Sequence, residues 1–469
     1  MKRIIFFLLM ICTVMLSFVT ASASATGRYL IQMKKDAVML FSDSEEIGAI
    51  APEYGIYVSE SKEAAQKYLD SGMAEFIEPE ITYELFDQPT DVGYPSQWQL
   101  QMINADFLWD YETYGNDVRV AVIDSGCTVH NDIKSNLLIG YNYVDENTNT
   151  YDDVLHGSHV SGIIAAEMNN GGIVGIAPKA KIVPLKCFYK TNGSTVSVSS
   201  GKIAQAILDA YYVYNCSVIN MSFGGEGDSE ILKNAVDEVT ANGVICVAAV
   251  GNDADEGYTN ICYPAGYDNV IGVGACNEYG QRAVFSRPNE SVYIYAPGYS
   301  VLSLSNTNQY YCYASGTSMA SPLVAAAAAN ALSVNPNLTP DNFRALLAST
   351  AQALSETDTV TYGNGILDMR ALSIELLSSY KMYISPVNTD SNGTYVTYFN
   401  NTSSALTAYS YCAEYDNGRF VSADRRTVYV FPGKRISVHY SPVYSSKYFM
   451  WFIGNANRPV TIARLLEVK

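Results

Sequence analysis

Four polar residues stand beside glycines at the ends of apolar segments, in patterns that could support chemistry. They are Asp124 (VAVID-Ser-Gly), His156 (HGSHVSG), Asn252 (VAAVGN) and Ser318 (GTSMASP). A serine hydroxyl becomes a good nucleophile when an imidazole accepts its proton, and the imidazole needs a carboxylate to fix its tautomer and stabilise its charge. The amide of Asn252 and the backbone N–H of Ser318 are suitable donors to an oxyanion. These residue types together predict nucleophilic acyl transfer.

Each of the four also has a structural interpretation. Serine is a favoured helix cap, aspartate is a favoured cap and turn residue, and Asn252 fits a turn. A metal site formed by His156 and His159 is a weak alternative, because the two residues are three apart and no carboxylate follows at ligand spacing. The chain contains no CxxC spacing either, so we predict no metal site from these residues.

An alternation of short apolar strands and amphipathic helices would position these side chains. The predicted strands are RVAVID, KIVPLKCF, SVINMSF, VICVAAVGN and VIGVGA, and the predicted helices are HGSHVSGIIAAEM, GKIAQAILDAYYVY, EILKNAVDEVTANG and one that Ser318 opens. This alternation predicts an α/β fold with a parallel sheet and helices on both faces. Ligands bind such folds at the carboxyl ends of the strands, where the four residues are expected.

The first 25 residues have the pattern of a secretory signal. Lys2 and Arg3 precede an almost continuous apolar run, and the segment ASASA at 21–25 offers small residues for cleavage after Ala25. A membrane anchor is the alternative, although the apolar run is short for one. We expect no later run to span a bilayer, because Asn330 interrupts the alanine-rich segment.

Two further modules flank the α/β region. Residues 27–86 predict a small α+β module in which RYLIQMK and AEFIEPEITYELF are strands and EEIGAI and SKEAAQKYLDS are helical. A polar, turn-rich boundary follows from Asp87. Residues 380–469 alternate without helical periodicity and predict a β-sandwich. Its aromatic residues could bind carbohydrate, but β-propensity alone also explains them.

Composition narrows the classes of partner. The formal net charge is -18, from 47 acidic and 29 basic residues, which disfavours nucleic acid and, once the signal is removed, anionic membranes. Eight of the nine cysteines follow the signal. Their uneven distribution, with Cys412 alone in the last module, argues against a complete set of disulfides within domains, and we assign no pair.

In the order Asp, His, Asn, Ser, these motifs resemble those of the subtilisin-like serine proteases over about residues 97–376. GTSMASP is highly specific, and NVIGVGACNEYGQRAVFS and YAPG are similar to family segments. The resemblance implies that Asp124 orients and stabilises, His156 is general base and then acid, Ser318 is the nucleophile and Asn252 is the oxyanion donor. It further implies a secreted endopeptidase that acts on proteins or peptides, with a catalytic domain at 87–376. Residues 27–86 would be an inhibitory pro-domain that is removed by self-cleavage near Phe86.

The resemblance also implies a site for an extended peptide. One side is the segment Ser222, Phe223, Gly224 and Gly225, and the other is a strand within residues 192–200. The first pocket, which receives the residue before the cleaved bond, would be formed with Gly251, with Asp253 at its rim and Cys262 at its floor. The family commonly has a smaller residue at the floor, so Cys262 predicts a shallower pocket for smaller or slimmer apolar residues. That expectation conflicts with cleavage after Phe86. Asp253 would add some preference for basic residues.

No cofactor is expected for the chemistry, and a structural calcium ion is an open question. The family often holds one through a loop near the histidine-bearing helix, for which Asp132 is a candidate ligand. Here the loop MNNGGIVG is shortened by a residue, which favours a simple turn. Two alternative functions remain open from the sequence: an inactive family member with a binding or adhesion role, and an esterase that uses the same three residues.

Overall fold

A computed structural model describes residues 21–34, 47–51, 54–85, 89–355, 362–378, 380, 382–385, 388–390, 393–416, 419–440, 448–455 and 458–467. The apolar run of the predicted signal and Phe86 lie outside these residues. The chain divides into two compact units, one formed by residues 1–87 with 381–469 and the other by residues 88–380. Each unit is described by itself.

The front part of the first unit is a four-stranded antiparallel sheet with one helix. The strands are β1 (Ala21–Met33), β2 (Gly48–Ala51), β3 (Ile56–Ser59) and β4 (Ala74–Leu85), in the order β2-β3-β1-β4. Helix α1 (Lys62–Asp70) begins after Ser61, whose hydroxyl accepts the Ala64 N–H, and it buries Ala65 and Tyr68 in the core of this part. The helix predicted for EEIGAI is wrong, because Gly48–Ala51 pairs with β3 as a strand. Tertiary pairing overrides local pattern in so short a segment.

The second unit contains a seven-stranded, wholly parallel sheet. Its members are β5 (Arg119–Asp124), β6 (Tyr141–Asn142), β7 (Lys181–Lys186), β10 (Val218–Met221), β11 (Ile245–Ala249), β12 (Val270–Cys276) and β13 (Ile294–Pro297), in the order β13-β12-β11-β10-β5-β7-β6. Two antiparallel hairpins lie outside the sheet, β8 (Phe188–Thr191) with β9 (Ser194–Ser197) and β14 (Val301–Leu304) with β15 (Tyr311–Ala314). The predicted strands of the parallel sheet are confirmed.

Helices cover this sheet. They are α2 (Trp98–Met102), α3 (Asp106–Trp109), α4 (His156–Ala165), α5 (Ser200–Tyr212), α6 (Glu230–Ala241), α7 (Thr317–Val334), α8 (Pro340–Thr350) and α9 (Met369–Ser378), with 3₁₀ turns at Tyr94–Ser96 and Ala254–Glu256. Alternate strand residues, such as Ile219 and Met221, pack in one core with α5 and α6. Helices α4 and α7 contact each other and the central strands. The predicted α/β class with a parallel sheet is confirmed.

Helix α7 is long and apolar enough to cross a membrane by length and composition, contrary to the expectation drawn from Asn330. In the structure 94% of this helix is buried inside its unit, where Asn330 donates from its side-chain amide to the carbonyl of Ile176 at 3.0 Å. Helix α7 is therefore the central core helix of this unit.

The last part of the first unit has two antiparallel sheets. One contains β16 (Met382–Ile384), β17 (Asn388–Asp390), β18 (Gly393–Asn400) and β21 (Arg435–Tyr440), and the other has the order β20-β19-β22-β23, from β19 (Leu406–Asp416), β20 (Arg419–Val430), β22 (Tyr448–Asn455) and β23 (Arg458–Glu467). Side chains of both sheets, among them Val396, Tyr398, Cys412 and Val428, form one core. All eight cysteines of the described residues are free thiols.

Candidate active site

The four predicted residues follow or begin elements at the carboxyl end of the parallel sheet. Asp124 is the last residue of β5, and Asn252 follows the end of β11 by three residues. His156 is the first residue of α4, and Ser318 is the second of α7. The neighbouring strands β5, β10 and β11 are parallel, so their carboxyl ends share one edge of the sheet.

Asp124 and His156 form a close pair. His156 Nδ1 lies 2.8 Å from Asp124 Oδ1 and 2.9 Å from Oδ2. Asp124 is almost completely buried and also accepts the N–H of Ser125, whereas the imidazole is 34% exposed. Burial lowers the pKa of His156, but the charge and hydrogen bond of Asp124, with the charge of Asp152, outweigh burial and raise the pKa above its usual value. The imidazole of His156 is therefore protonated more readily beside Asp124 than it would be in water.

The backbone around His156 is held close to β5. A Cβ atom on Gly157 would lie 2.1 Å from the carbonyl oxygen of Gly126, so only glycine allows this approach. Leu155, just before the helix, has a φ of 98°, which is unusual for a leucine. Buried Asp152 accepts the N–H groups of Val154, Leu155 and Ser158 and so holds this turn. Asp152 was not identified from the sequence, because it lies three residues before the cap position, Leu155, and not at the cap itself.

Ser318 lies at the amino end of α7 and is joined to Ser222 by two reciprocal bonds. Ser318 Oγ donates to the carbonyl oxygen of Ser222, and Ser222 Oγ donates to the carbonyl oxygen of Ser318, both at 2.9 Å. Within the described residues, no hydrogen bond links Ser318 Oγ to His156. The structure thus holds the hydroxyl against the substrate-binding segment predicted at residues 222–225.

Thr317 orients the amide of Asn252. Asn252 Oδ1 accepts hydrogen bonds from the backbone N–H of Thr317 at 3.0 Å and from the Thr317 hydroxyl at 3.2 Å. With the oxygen engaged, the Nδ2 donor is left to face the other way. A Cβ atom on Gly316 would lie 3.5 Å from that nitrogen, in ordinary van der Waals contact. Thr317 was not singled out from the sequence, although it immediately precedes Ser318.

The predicted peptide-binding segment is exposed at its glycines. Gly224 and Gly225 are exposed, and Gly225 forms a two-bond antiparallel bridge with Tyr263. The other predicted strand, within residues 192–200, forms the exposed hairpin strand β9, which pairs with β8. Phe188 of β8 packs on Phe223, with ring centroids 5.1 Å apart. The structure therefore brings the hairpin next to the segment at 222–225.

Cys262, predicted at the floor of the first pocket, lies against Gly224 and Gly251. Cys262 is buried, and burial raises the pKa of its thiol despite the opposing charge of Arg287, so the thiol is neutral. Asp253 is exposed, and its carboxylate is 3.7 Å from the guanidinium of Arg287. Arg287 is a residue that sequence analysis missed, because its position between two loops carries no local signal.

His159 does not join His156 in a metal site. Its Nε2 lies 3.1 Å from the carbonyl oxygen of Val301 and 3.2 Å from that of Cys312. Burial lowers the pKa of His159 to about 4, so the ring is neutral and structural. Across the described residues, no group of three or more His, Cys, Asp or Glu side chains is arranged to hold a metal ion.

The backbone N–H groups of the candidate calcium loop, residues 169–173, donate hydrogen bonds to carboxylates. Asp91 accepts the N–H groups of residues 169–171 at 2.7–3.1 Å, and Asp132 Oδ2 accepts that of Ile173 at 2.9 Å. Calcium binds oxygen ligands, and N–H donors that converge on a site oppose a cation. Asp132 also receives side-chain hydrogen bonds from Asn170 and Tyr311. The donors that converge on these carboxylates fit a calcium ion poorly.

Comparisons with known proteins identify the same region. The family model described as Subtilase family matches residues 115–365. The chain is 34% identical to subtilisin E of Bacillus subtilis (strain 168), over 76% of this chain and 94% of that protein, and 38% identical to subtilisin DY of Bacillus licheniformis, over 58% and 96%. A solved protease structure from Pseudoalteromonas arctica has a TM-score of 0.56 and 29% identity, covering 62% of this chain and all of that one.

Proposed function

Because the chain belongs to the subtilase family and is a serine endopeptidase, we propose that Asp124, His156 and Ser318 are its catalytic triad and that Asn252 is an oxyanion donor. The observation that carries this proposal is the paired contact of His156 Nδ1 with both oxygens of buried Asp124. That contact fixes the tautomer in which Nε2 is free to accept a proton.

In the first step, Ser318 Oγ attacks the carbonyl carbon of the peptide bond. For this the hydroxyl rotates away from the Ser222 carbonyl, and its proton passes to His156 Nε2. The π electrons of the carbonyl move to its oxygen, which accepts hydrogen bonds from the Ser318 N–H and Asn252 Nδ2. Asp124 stabilises the imidazolium without taking the proton.

In the second step, the C–N bond breaks and His156 gives its proton to the leaving amine. A water molecule then attacks the acyl carbon while His156 accepts one of its protons. The bond to Ser318 Oγ breaks, the oxygen regains the proton from His156, and the carboxylic product leaves. Both half-reactions use the same base and the same oxyanion donors.

We further propose that substrates bind as extended peptides. Gly225 uses both its backbone N–H and its carbonyl to pair with Tyr263, so the neighbouring exposed Gly224 would offer its backbone to the substrate. Main-chain pairing gives affinity with little dependence on sequence, so unfolded protein segments are the expected substrates.

We propose secretion and activation by removal of residues 27–86. Secretion is supported by the predicted signal and by a relative named minor extracellular protease Epr of Bacillus subtilis (strain 168), 39% identical over 49% of this chain and 34% of that protein. Signal cleavage after Ala25 would remove the first five residues of β1, which the full chain pairs with β4. Amino-terminal sequencing of the mature protein tests self-cleavage near Phe86. A start far from Asp87 would contradict it, and a Ser318→Ala chain should stay unprocessed.

The enzyme proposal is tested by comparing unfolded protein with a simple aryl ester as substrates for the purified mature chain. We expect hydrolysis of both by wild type, and no protein cleavage by a Ser318→Ala chain from which an added protease has removed residues 27–86. Ester hydrolysis without any peptide-bond cleavage would favour the esterase alternative. Absence of both activities in a correctly processed chain would favour an inactive binding protein.

A further inference from the structure

We propose that Cys262 and Arg287 close the first pocket, so that this protease cleaves after small residues such as alanine, glycine and serine. The inference rests on the proposed function, and Arg287 is its new element. It acts as a specificity-determining residue because its side chain packs against Gly251 and limits how far Cys262 can move.

Cys262 fills the gap between the two glycine walls of the pocket. A Cβ atom built on Gly224 would lie 3.1 Å from Cys262 Cβ, and one built on Gly251 would lie 3.0 Å from Cys262 Sγ. Both distances are at or below close van der Waals contact, so the side chain of Cys262 spans the space between the walls. A bulky side chain entering between Gly224 and Gly251 would meet this neutral thiol.

Arg287 prevents Cys262, the floor of the pocket, from moving away from the substrate. Its Cδ and Nε would lie 3.1 and 3.2 Å from a Cβ on Gly251, and the side chain is only 9% exposed. Nε donates to the carbonyl oxygen of Asn252 at 2.7 Å, while Nη1 donates to Glu226 at 2.9 Å and to the carbonyl oxygen of Asn260 at 3.1 Å. Moving the guanidinium would break several charge-assisted hydrogen bonds at once, and each is costly to lose when buried.

These bonds also join the pocket to the oxyanion donor. Glu226 directly follows Gly225 of the peptide-binding segment, and Asn252 carries the proposed donor amide. Arg287 therefore ties both walls of the pocket to each other. A substrate that forced the walls apart would strain the same bonds that position Asn252.

The charges around Arg287 partly neutralise one another. One guanidinium faces two carboxylates, Glu226 at 2.9 Å and Asp253 at 3.7 Å. Asp253 is thus already directed at an internal cation, which weakens the preference for basic residues expected from the sequence. The steric block by Cys262 excludes long and bulky side chains, charged or not, so small residues are the expected class.

The test measures kcat/KM for the mature enzyme on matched tetrapeptide anilides that end in Ala, Leu or Phe. We expect wild type to favour Ala over Phe by at least about tenfold, the discrimination a filled pocket commonly achieves. Cys262→Gly and Arg287→Ser should each raise kcat/KM for Phe about tenfold or more relative to Ala. Arg344→Ser is the matched control, because Arg344 also donates to a carbonyl, that of Val270, and stacks on Tyr293 away from the pocket. It should leave the Phe/Ala ratio unchanged.

Active-site titration with a fluorophosphonate normalises each preparation and separates the two proposals. Equal cleavage after Phe and Ala by wild type, or an unchanged Phe/Ala ratio in both pocket variants, overturns the closed pocket while leaving the protease intact. Failure of wild type to cleave any peptide contradicts the proposed function instead. If Arg287→Ser does not fold, Cys262→Gly and Cys262→Ala decide the outcome, with Ala expected to lie between Gly and wild type for Phe.

Discussion

Ser318 and Ser222 are joined by two reciprocal hydrogen bonds, each from the hydroxyl of one residue to the backbone carbonyl of the other. The bonds join the amino end of α7 to buried Ser222, the first residue of the segment at 222–225. The proposed nucleophile is therefore held in register with the peptide that this segment would bind. One rotation about the Cα–Cβ bond of Ser318 redirects its hydroxyl.

The pH dependence of activity should follow the Asp124–His156 pair. Only the neutral imidazole accepts a proton, so kcat/KM should rise with pH through the pKa of His156, with a midpoint above the ordinary 6.5. Asp124→Asn removes the nearby charge and leaves burial to lower the pKa. We expect the midpoint to move below that of wild type and kcat to fall about 10⁴-fold, as when an orienting Asp is lost in other triads. A pH–rate profile measures both.

The matched control for that profile is Asp341→Asn, which changes an exposed carboxylate outside the site. It should leave the midpoint and kcat unchanged. An Asp124→Asn profile with the wild-type midpoint would show that the titration belongs to another group.

The Asn252–Thr317 contact should affect the rate more than binding. Asn252→Ala removes an oxyanion donor, and we carry over the loss of about 10²–10³-fold in kcat known for the equivalent donor in subtilisin. Thr317→Val removes the hydroxyl contact that orients Asn252 but keeps the N–H bond, so its loss should be smaller, with KM nearly unchanged. Thr317→Ser should restore most of the rate. A loss confined to KM would contradict an oxyanion role.

Asp91 should replace a metal ion in stabilising the loop at 169–172. Its carboxylate accepts hydrogen bonds from three backbone N–H groups. Each hydrogen bond to a charged group contributes about 1.5–3 kcal/mol to the free energy of unfolding. We expect a chelator to leave the Tm unchanged and Asp91→Ala to lower it by several degrees. Asp255→Asn, at an exposed position, serves as the control. A large drop in Tm on chelation, reversed by calcium, would contradict this account.

Asp132 should destabilise the fold when it is ionised. Burial raises its pKa to about 6, so the native chain binds this proton more tightly than the unfolded chain, whose carboxyl keeps the ordinary value of 3.8. The free energy of unfolding therefore falls as pH rises from about 4 to 6 and stays lower above that range. Asp132→Asn should raise the free energy of unfolding by roughly 3 kcal/mol at pH 7.5 and little at pH 4. Denaturant unfolding at the two pH values measures the difference, and a loss at pH 7.5 would contradict it.

The residues that could be predicted from the sequence are those with a local signature. Asp124, His156 and Ser318 each end or open a regular element beside a glycine, and the alternation of strands and helices predicts the edge at which they meet. Short, weakly patterned strands such as β6 and β13 could not be predicted, because their only support is pairing with a neighbour in the folded sheet.

The supporting residues were harder to predict for the same reason. Arg287 contacts Asn252, Glu226 and Asn260, which are distant in the chain, so its role exists only after folding. Asp91 and its loop lie about 80 residues apart. Thr317 and Asp152 are close in sequence to the proposed catalytic residues, but their roles depend on which side-chain oxygen accepts which N–H.

The central claim is that Ser318 is a nucleophile activated by His156. The most direct measurement is intact-mass and peptide-mapping analysis of the mature chain after reaction with a fluorophosphonate. Residues 27–86 of the inactive variants are removed with an added protease, so that all chains are compared in the same processed form. We predict a single adduct, located on Ser318, that forms rapidly in wild type, is absent in Ser318→Ala and forms far more slowly in His156→Ala. No adduct in the wild type, or an adduct on another residue that survives Ser318→Ala, would contradict the account.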